Sequence, residues 1–177
     1  MKAMTRPSKY LRSPPHPAPW GPFTRVLASK YHQAIEALKD IRIIGLRARL
    51  LDLGGRDMVI SYDPDLDLVL RYGRQWPARG AVTWEGLAHN CHGNASLIYL
   101  SDPARYQIVV GWALSGDDWY QHTWIWDRQE RRVIETTVAR DRYYGAALPP
   151  GKARSFAGAN GHTFSPADIE SFRQEGR

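Results

Sequence analysis

The sequence predicts an α+β protein in which a helix packs on an antiparallel sheet that follows it in the chain. Three observations carry this. First, Cys91 to Tyr99 has helical spacing, with Cys91, Ala95 and Ile98 on one face. Second, three β-rich runs follow: Tyr106 to Leu114, Trp119 to Asp127 and Arg132 to Val138. Third, two turns join those runs into a meander, Ser115-Gly116-Asp117-Asp118 and Arg128-Gln129-Glu130-Arg131. A helix and then consecutive strands, with no strand–helix alternation, is the order of an α+β domain.

The elements before and after are read in the same way. Residues 1–23 hold Pro7, Pro14, Pro15, Pro17, Pro19 and Pro22 among basic residues, which forbids a helix and predicts an extended arm. Residues 24–177 are then one domain, since 177 residues in all match a single-domain size that can bury a core. Arg25 to Ile41 reads as an amphipathic helix with Thr24 as N-cap and Val26, Leu27, Tyr31, Ile35 and Leu38 on its apolar side. Leu46 to Tyr62 fits either a short helix or strands, is broken at Gly54-Gly55, and has a strand-like end at Met58 to Tyr62. Asp63 to Gly80, with Pro64, Gly73, Pro77 and Gly80, reads as loop around one apolar piece, Leu66 to Tyr72. Ser101-Asp102-Pro103 closes the Cys91 helix. A last helix is expected from Phe164, with Ser165 as N-cap and Pro166 at its first position.

Composition narrows the function classes. Cys91 is the single cysteine, so no internal disulfide forms. The N-terminal stretch has no apolar signal core, and no run reaches the roughly 18 apolar residues that span a bilayer. The expectation is a cytoplasmic protein, of a cell or of an infected host, with no membrane contact. The net charge of +6 suits an acidic partner, but the charge is scattered and carries no nucleic-acid-binding motif, so a nucleic-acid role is not favoured. No metal or other cofactor is expected: His89, Cys91 and His92 are bunched too closely for the usual zinc spacings.

The chemistry points to Cys91. A thiol attacks a carbonyl only as a thiolate, and a helix N-terminus and a nearby imidazolium both lower its pKa. Cys91 stands at the predicted helix start. His122 is on the second strand of the meander, and Glu135 on the third is near enough across the turn to accept an imidazole N–H and orient the ring. Helix, strand and neighbouring strand thus each supply one member: nucleophile, base and orienter. Asp127 is a rival third member, but it lies an odd number of positions from His122 and so on the opposite face. The oxyanion of an acyl transfer needs the Cys91 backbone N–H and one more donor, for which Trp84, His89 and Asn90 are candidates. Asn94, one helical turn from Cys91, reads as a structural hydrogen bonder. Trp124 and Trp126 fall on the His122 face, and Trp112 and Trp119 also crowd the meander. Core packing is the favoured role for these rings, with Trp112 or Trp124 as the candidate wall of an acyl groove.

The series Cys91-His92-Gly93-Asn94-Ala95, Val110-Gly111-Trp112-Ala113, His122-Thr123-Trp124 and Val133-Ile134-Glu135-Thr136-Thr137 resembles the transglutaminase-like, papain-like superfamily of cysteine enzymes. In that superfamily a helix-starting Cys is followed four positions on by a small residue. A Gly-aromatic strand, a His-small-Trp strand and an acidic residue before a Thr come next. More closely, the chain looks like uncharacterised phage and bacterial members that carry a Tyr-aromatic-Gly segment downstream, matched by Tyr143-Tyr144-Gly145. The likeness covers about Gly73 to Leu148 and departs at Glu135, where most members have Asp. It implies a papain/transglutaminase-like fold and acyl transfer on amide bonds of a protein or peptide through a thioester, by a protease or amidase rather than a cross-linker. The alternative is an inactive binding or inhibitory module on the same fold.

Overall fold

The computed structural model describes residues 40–84 and 86–161. The proline-rich arm, the Phe164 helix and nearly all of the Arg25 to Ile41 helix lie outside these residues. The first described helix, α1 (Ile41–Leu53), starts where that expected helix was to end. Asp40 caps it, its carboxylate accepting from the Arg42 N–H at 2.9 Å. Ile43, Leu46 and Leu50 are spaced at i, i+3 and i+7 and are buried, so the helix half of the ambiguous Leu46 to Tyr62 segment prevails up to the glycine pair. Gly54 and Gly55 have φ of 131° and 81°, which only glycine adopts freely, and the chain turns there into β1 (Asp57–Met58). Of the strand expected over Met58 to Tyr62, only Met58 lies in β1, and residues 59–62 lie outside any strand.

The loop expected over Asp63 to Gly80 is corrected by two elements, α2 (Leu66–Tyr72) and β2 (Arg74–Trp76). Leu66 and Val69 are spaced for one helical face, and seven residues are enough to bury both. Next come β3 (Val82–Thr83) and α3 (Cys91–Ser101). The meander follows as β4 (Tyr106–Ser115), β5 (Asp118–Asp127) and β6 (Arg132–Glu135). β6 stops three residues short of the expected Val138 because Glu135 turns its carboxylate onto the N–H groups of Thr136 and Thr137. β7 (Arg142–Ala147) and α4 (Pro150–Asn160) complete the described chain. The α+β class stands, with four helices and one sheet among the described residues. The antiparallel expectation is corrected to a mixed sheet of seven strands in the order β2-β7-β4-β5-β6-β3, with β1 joined to β5. The meander is antiparallel, but β1 runs parallel to β5 and β3 parallel to β6. Two-residue strands give almost no period-two pattern to read.

Strand alternation divides the core in two. Ile108, Val110 and Trp112 of β4 face the helices, packing with Ala95 and Ile98 of α3 and with Leu46 and Leu50 of α1. Val109, Ala113, Trp124, Val133 and Tyr143 face the other way, under Trp76. One edge of β5 is interrupted. β1 pairs there at Asp118 and Trp119, and β6 pairs from Ile125 to Asp127. Residues 120–124 between them have no strand partner on that side among the described residues. The first turn of α3 sits beside this notch, and it can therefore reach residues on both faces of β5. No described helix is long and apolar enough to cross a membrane.

Candidate active site

The three candidate catalytic residues come together. His122 and Glu135 are buried on the same face of the sheet, and the His122 Nε2 hydrogen donates to both Glu135 oxygens at 2.9 Å. The register places Glu135 one step past the Ile125–Ile134 pair, so His122 is its diagonal rather than its direct neighbour. With Nε2 held by the carboxylate, Nδ1 is the nitrogen left for the thiol. Cys91 is the first residue of α3 and is partly exposed.

Each titratable member perturbs the others. Burial pushes the Cys91 thiol up, but the imidazoles of His122 and then His92 outweigh it and bring the pKa from 9.0 down to about 5. Burial pulls His122 down, yet the thiol and then Glu135 carry it from 6.5 up to about 9. Glu135 is likewise raised by burial and lowered more by His122 and Thr137, so it stays an anion. The consistent reading is a thiolate beside an imidazolium backed by a carboxylate.

The carboxylate is saturated with donors. Glu135 Oε1 accepts from Thr136 N, Thr137 N and Thr137 Oγ1 at 2.8, 2.9 and 2.9 Å, and Oε2 accepts from the Tyr143 hydroxyl at 3.0 Å. Trp124 lies parallel to the His122 ring, with centroids 6.2 Å apart, and packs on Tyr143. Trp124 thus backs the imidazole and does not wall a groove. Sequence reasoning quoted Tyr143 and Thr137 without giving them a role. Both follow Glu135 closely in the chain, but only the sheet register shows which side chains point at its carboxylate.

A second imidazole approaches the sulfur. His92 Nδ1 is 3.6 Å from Cys91 Sγ and 2.8 Å from Thr123 Oγ1. Thr123 faces the helices while His122 faces away, so the notch in β5 lets α3 touch both. The thiol raises the His92 pKa more than burial lowers it.

An open cleft of roughly 690 Å³ exposes the thiol between His89, Tyr120, Gln121, His122 and Arg140. Of the oxyanion candidates, only His89 lines it, held at a φ of 59° just before the helix. Asn90 folds its side chain over Gly93 instead, where a Cβ would come within 2.4 Å of the amide nitrogen. Trp84 turns to the core, edge-on to Tyr106 at 6.1 Å, while its backbone N–H donates to the Glu135 carbonyl oxygen at 2.8 Å. Trp112 is fully buried on the helix side of the sheet. Asn94 is a clamp: its Oδ1 accepts from Leu87 N at 3.0 Å, and its Nδ2 donates to Leu87 O at 2.8 Å and Thr136 O at 3.0 Å. Asp127 is committed elsewhere, to Arg105 at 2.7 Å. Among the described residues no cluster of three or more His, Cys, Asp or Glu is arranged to hold a metal ion. Comparisons with protein-family models, with curated proteins and with solved structures find no match to this chain.

Proposed function

We propose that the protein is a cysteine-dependent acyl-transfer enzyme acting on amide or ester carbonyls, with Cys91 as nucleophile, His122 as acid–base and Glu135 as orienter. The observation that carries this is the buried His122–Glu135 pair at 2.9 Å beside a helix-start thiol brought down to about 5 in an open cleft. The resemblance to transglutaminase-like cysteine enzymes supports the same reading. The thiolate adds to the carbonyl carbon, and the oxygen takes up the charge near the Cys91 backbone N–H at the helix start. His122 gives its proton to the departing amine, leaving a thioester and a neutral imidazole. Neutral His122 then deprotonates an incoming water or amine, which releases the acyl group and restores the thiolate. Hydrolysis of peptide or side-chain amides is the favoured outcome.

Iodoacetamide labelling of the folded protein against pH tests this. Cys91 alkylation should reach half its plateau near pH 5. His122→Ala should move that midpoint toward the ordinary thiol value of about 8.5. Labelling that appears only on unfolding, or an unmutated midpoint already at the ordinary value, sinks the reading.

A further inference from the structure

We infer that Arg140 is a carboxylate-binding residue of the Cys91 cleft, and that the acyl group this site takes carries a carboxylate. The inference rests on the acyl-transfer reading and names its substrate class.

Arg140 lines the cleft with Cys91 and His122, and its Nε is enclosed without a hydrogen-bond partner. No ion pair to its guanidinium is found among the described residues. Buried or half-buried guanidinium groups are normally paired, because an enclosed donor left without an acceptor is costly. The carboxylates that could have neutralised it are engaged. Glu135 is saturated by His122, Tyr143 and the two threonines. Asp141, next in the chain, accepts from Gly116 N at 2.9 Å. No Asp or Glu stands among the described residues lining the cleft.

The segment that carries Arg140 is also fixed in place. Asp141 N donates to Leu114 O at 2.9 Å, so both the N–H and the carboxylate of Asp141 tie the segment to the β4–β5 turn. Ser115, at the end of β4 beside that turn, lines the same cleft. A guanidinium held by its backbone, short of an acceptor and sharing a cleft with a nucleophile is suited to grip a planar carboxylate through two parallel N–H···O bonds. Arg140 is the one arginine or lysine among the described residues lining the cleft. Val138 and Tyr120, both exposed, line the same cleft and offer apolar surface to an aliphatic part of the acyl group.

Two esters test the inference: p-nitrophenyl butyrate and the p-nitrophenyl monoester of glutaric acid, which is the butyryl chain ending in a carboxylate. In each case the Cys91 sulfur bonds to the carbonyl carbon, the carbon–oxygen bond breaks, and p-nitrophenolate leaves with the electron pair. Release is followed in single turnover after subtraction of the Cys91→Ala blank. The glutarate ester should acylate about tenfold faster or more, which is the reach of one charge-assisted contact. Arg140→Gln should bring the ratio near one, Arg140→Lys should keep part of it, and Arg128→Gln, which removes the same charge outside the cleft, should keep it whole. A ratio near one in the unmutated protein, or one unchanged in Arg140→Gln, overturns the carboxylate site while leaving the acyl-transfer reading intact. If neither ester acylates Cys91, the acyl-transfer reading fails. Protection of Cys91 from iodoacetamide by glutarate dianion then decides the site: protection lost in Arg140→Gln upholds it, and no protection overturns it.

Discussion

Tyr143 and Glu135 show how a single buried contact feeds the chemistry. The Tyr143 hydroxyl donates a hydrogen bond to Glu135 Oε2 at 3.0 Å, and burial together with the anion beside it drives the phenol pKa far up. Tyr143→Phe leaves that oxygen with one donor fewer in a place water does not reach. A buried bond to a charged group is worth about 1.5–3 kcal/mol, so urea unfolding should show a loss of that order. The same change leaves Glu135 a stronger acceptor for the His122 proton, so folded Cys91 should stay reactive; loss of labelling would mean that Tyr143 acts on the thiol and not through the carboxylate. Glu135 itself should behave as an orienter. Glu135→Gln keeps an oxygen for the imidazole N–H and should retain more acylation by p-nitrophenyl butyrate than Cys91→Ala, with the double variant no slower than Cys91→Ala alone. Equal rates for Glu135→Ala and the unmutated protein would remove Glu135 from the site.

At the scale of elements, the meander and the α3 helix were legible because long runs give many readings of one period. β4, a run of β-branched and aromatic residues buried on both faces, and β5 are ten residues long each, and α3 is eleven. The two-residue strands β1 and β3, and the seven-residue α2, were not legible, since their form is dictated by β5, β6 and the core beneath them and not by local propensity. Type and order single out Cys91, His122 and Glu135 as candidates, but their surroundings were not legible. His92 was read only as too close to Cys91 for zinc, and Arg140 was not singled out, because the notch in β5 and the pinned segment at Asp141 exist only in three dimensions. The glycines of β4 and β7 make a related point. Gly111 and Gly145 are register partners, and Gly111 also pairs with His122. A Cβ on Gly145 would come 2.3 Å from Val110 O and 2.7 Å from the Trp124 ring that backs His122. Gly145→Ala should therefore destabilise by about 1–3 kcal/mol or more through overpacking and slow Cys91 labelling as well. Gly151→Ala, where a Cβ meets nothing within 4 Å, is the matched control. Equal stability of these two variants would show that the close approach has room to relax.

For the whole molecule, the charged pair at the site ties folding to pH in a direction that can be worked out. In the unfolded chain Cys91 titrates near 9.0 and His122 near 6.5; in the fold they sit at about 5 and about 9. The lowered thiol contributes stability that is full above 9 and lost as pH falls through about 5. The raised imidazole contributes stability that is full below 6.5 and lost as pH rises through about 9. Below pH 5 both states hold both protons. Between about 5 and 6.5 the fold has released the thiol proton and the unfolded chain has not, so the unfolded chain binds one more and stability rises with pH. From 6.5 to 9 each state holds one proton of the pair, on the imidazole in the fold and on the thiol in the unfolded chain, so the rise stops. His92, raised by the same thiolate, adds a contribution that fades above 6.5, and buried Asp63, itself raised chiefly by burial, charges close to its face. Neither restores a rise in that upper window. Cys91→Ala removes the thiolate but keeps Asp63 and the Glu135 carboxylate that also raises His122. Urea unfolding of the unmutated protein minus that of Cys91→Ala should therefore climb from pH 5 to 6.5, the window in which the fold has shed the thiol proton and the unfolded chain has not. If instead the difference is flat across the lower window, Cys91 is protonated in the fold, and the thiolate on which the catalytic proposal depends is not formed.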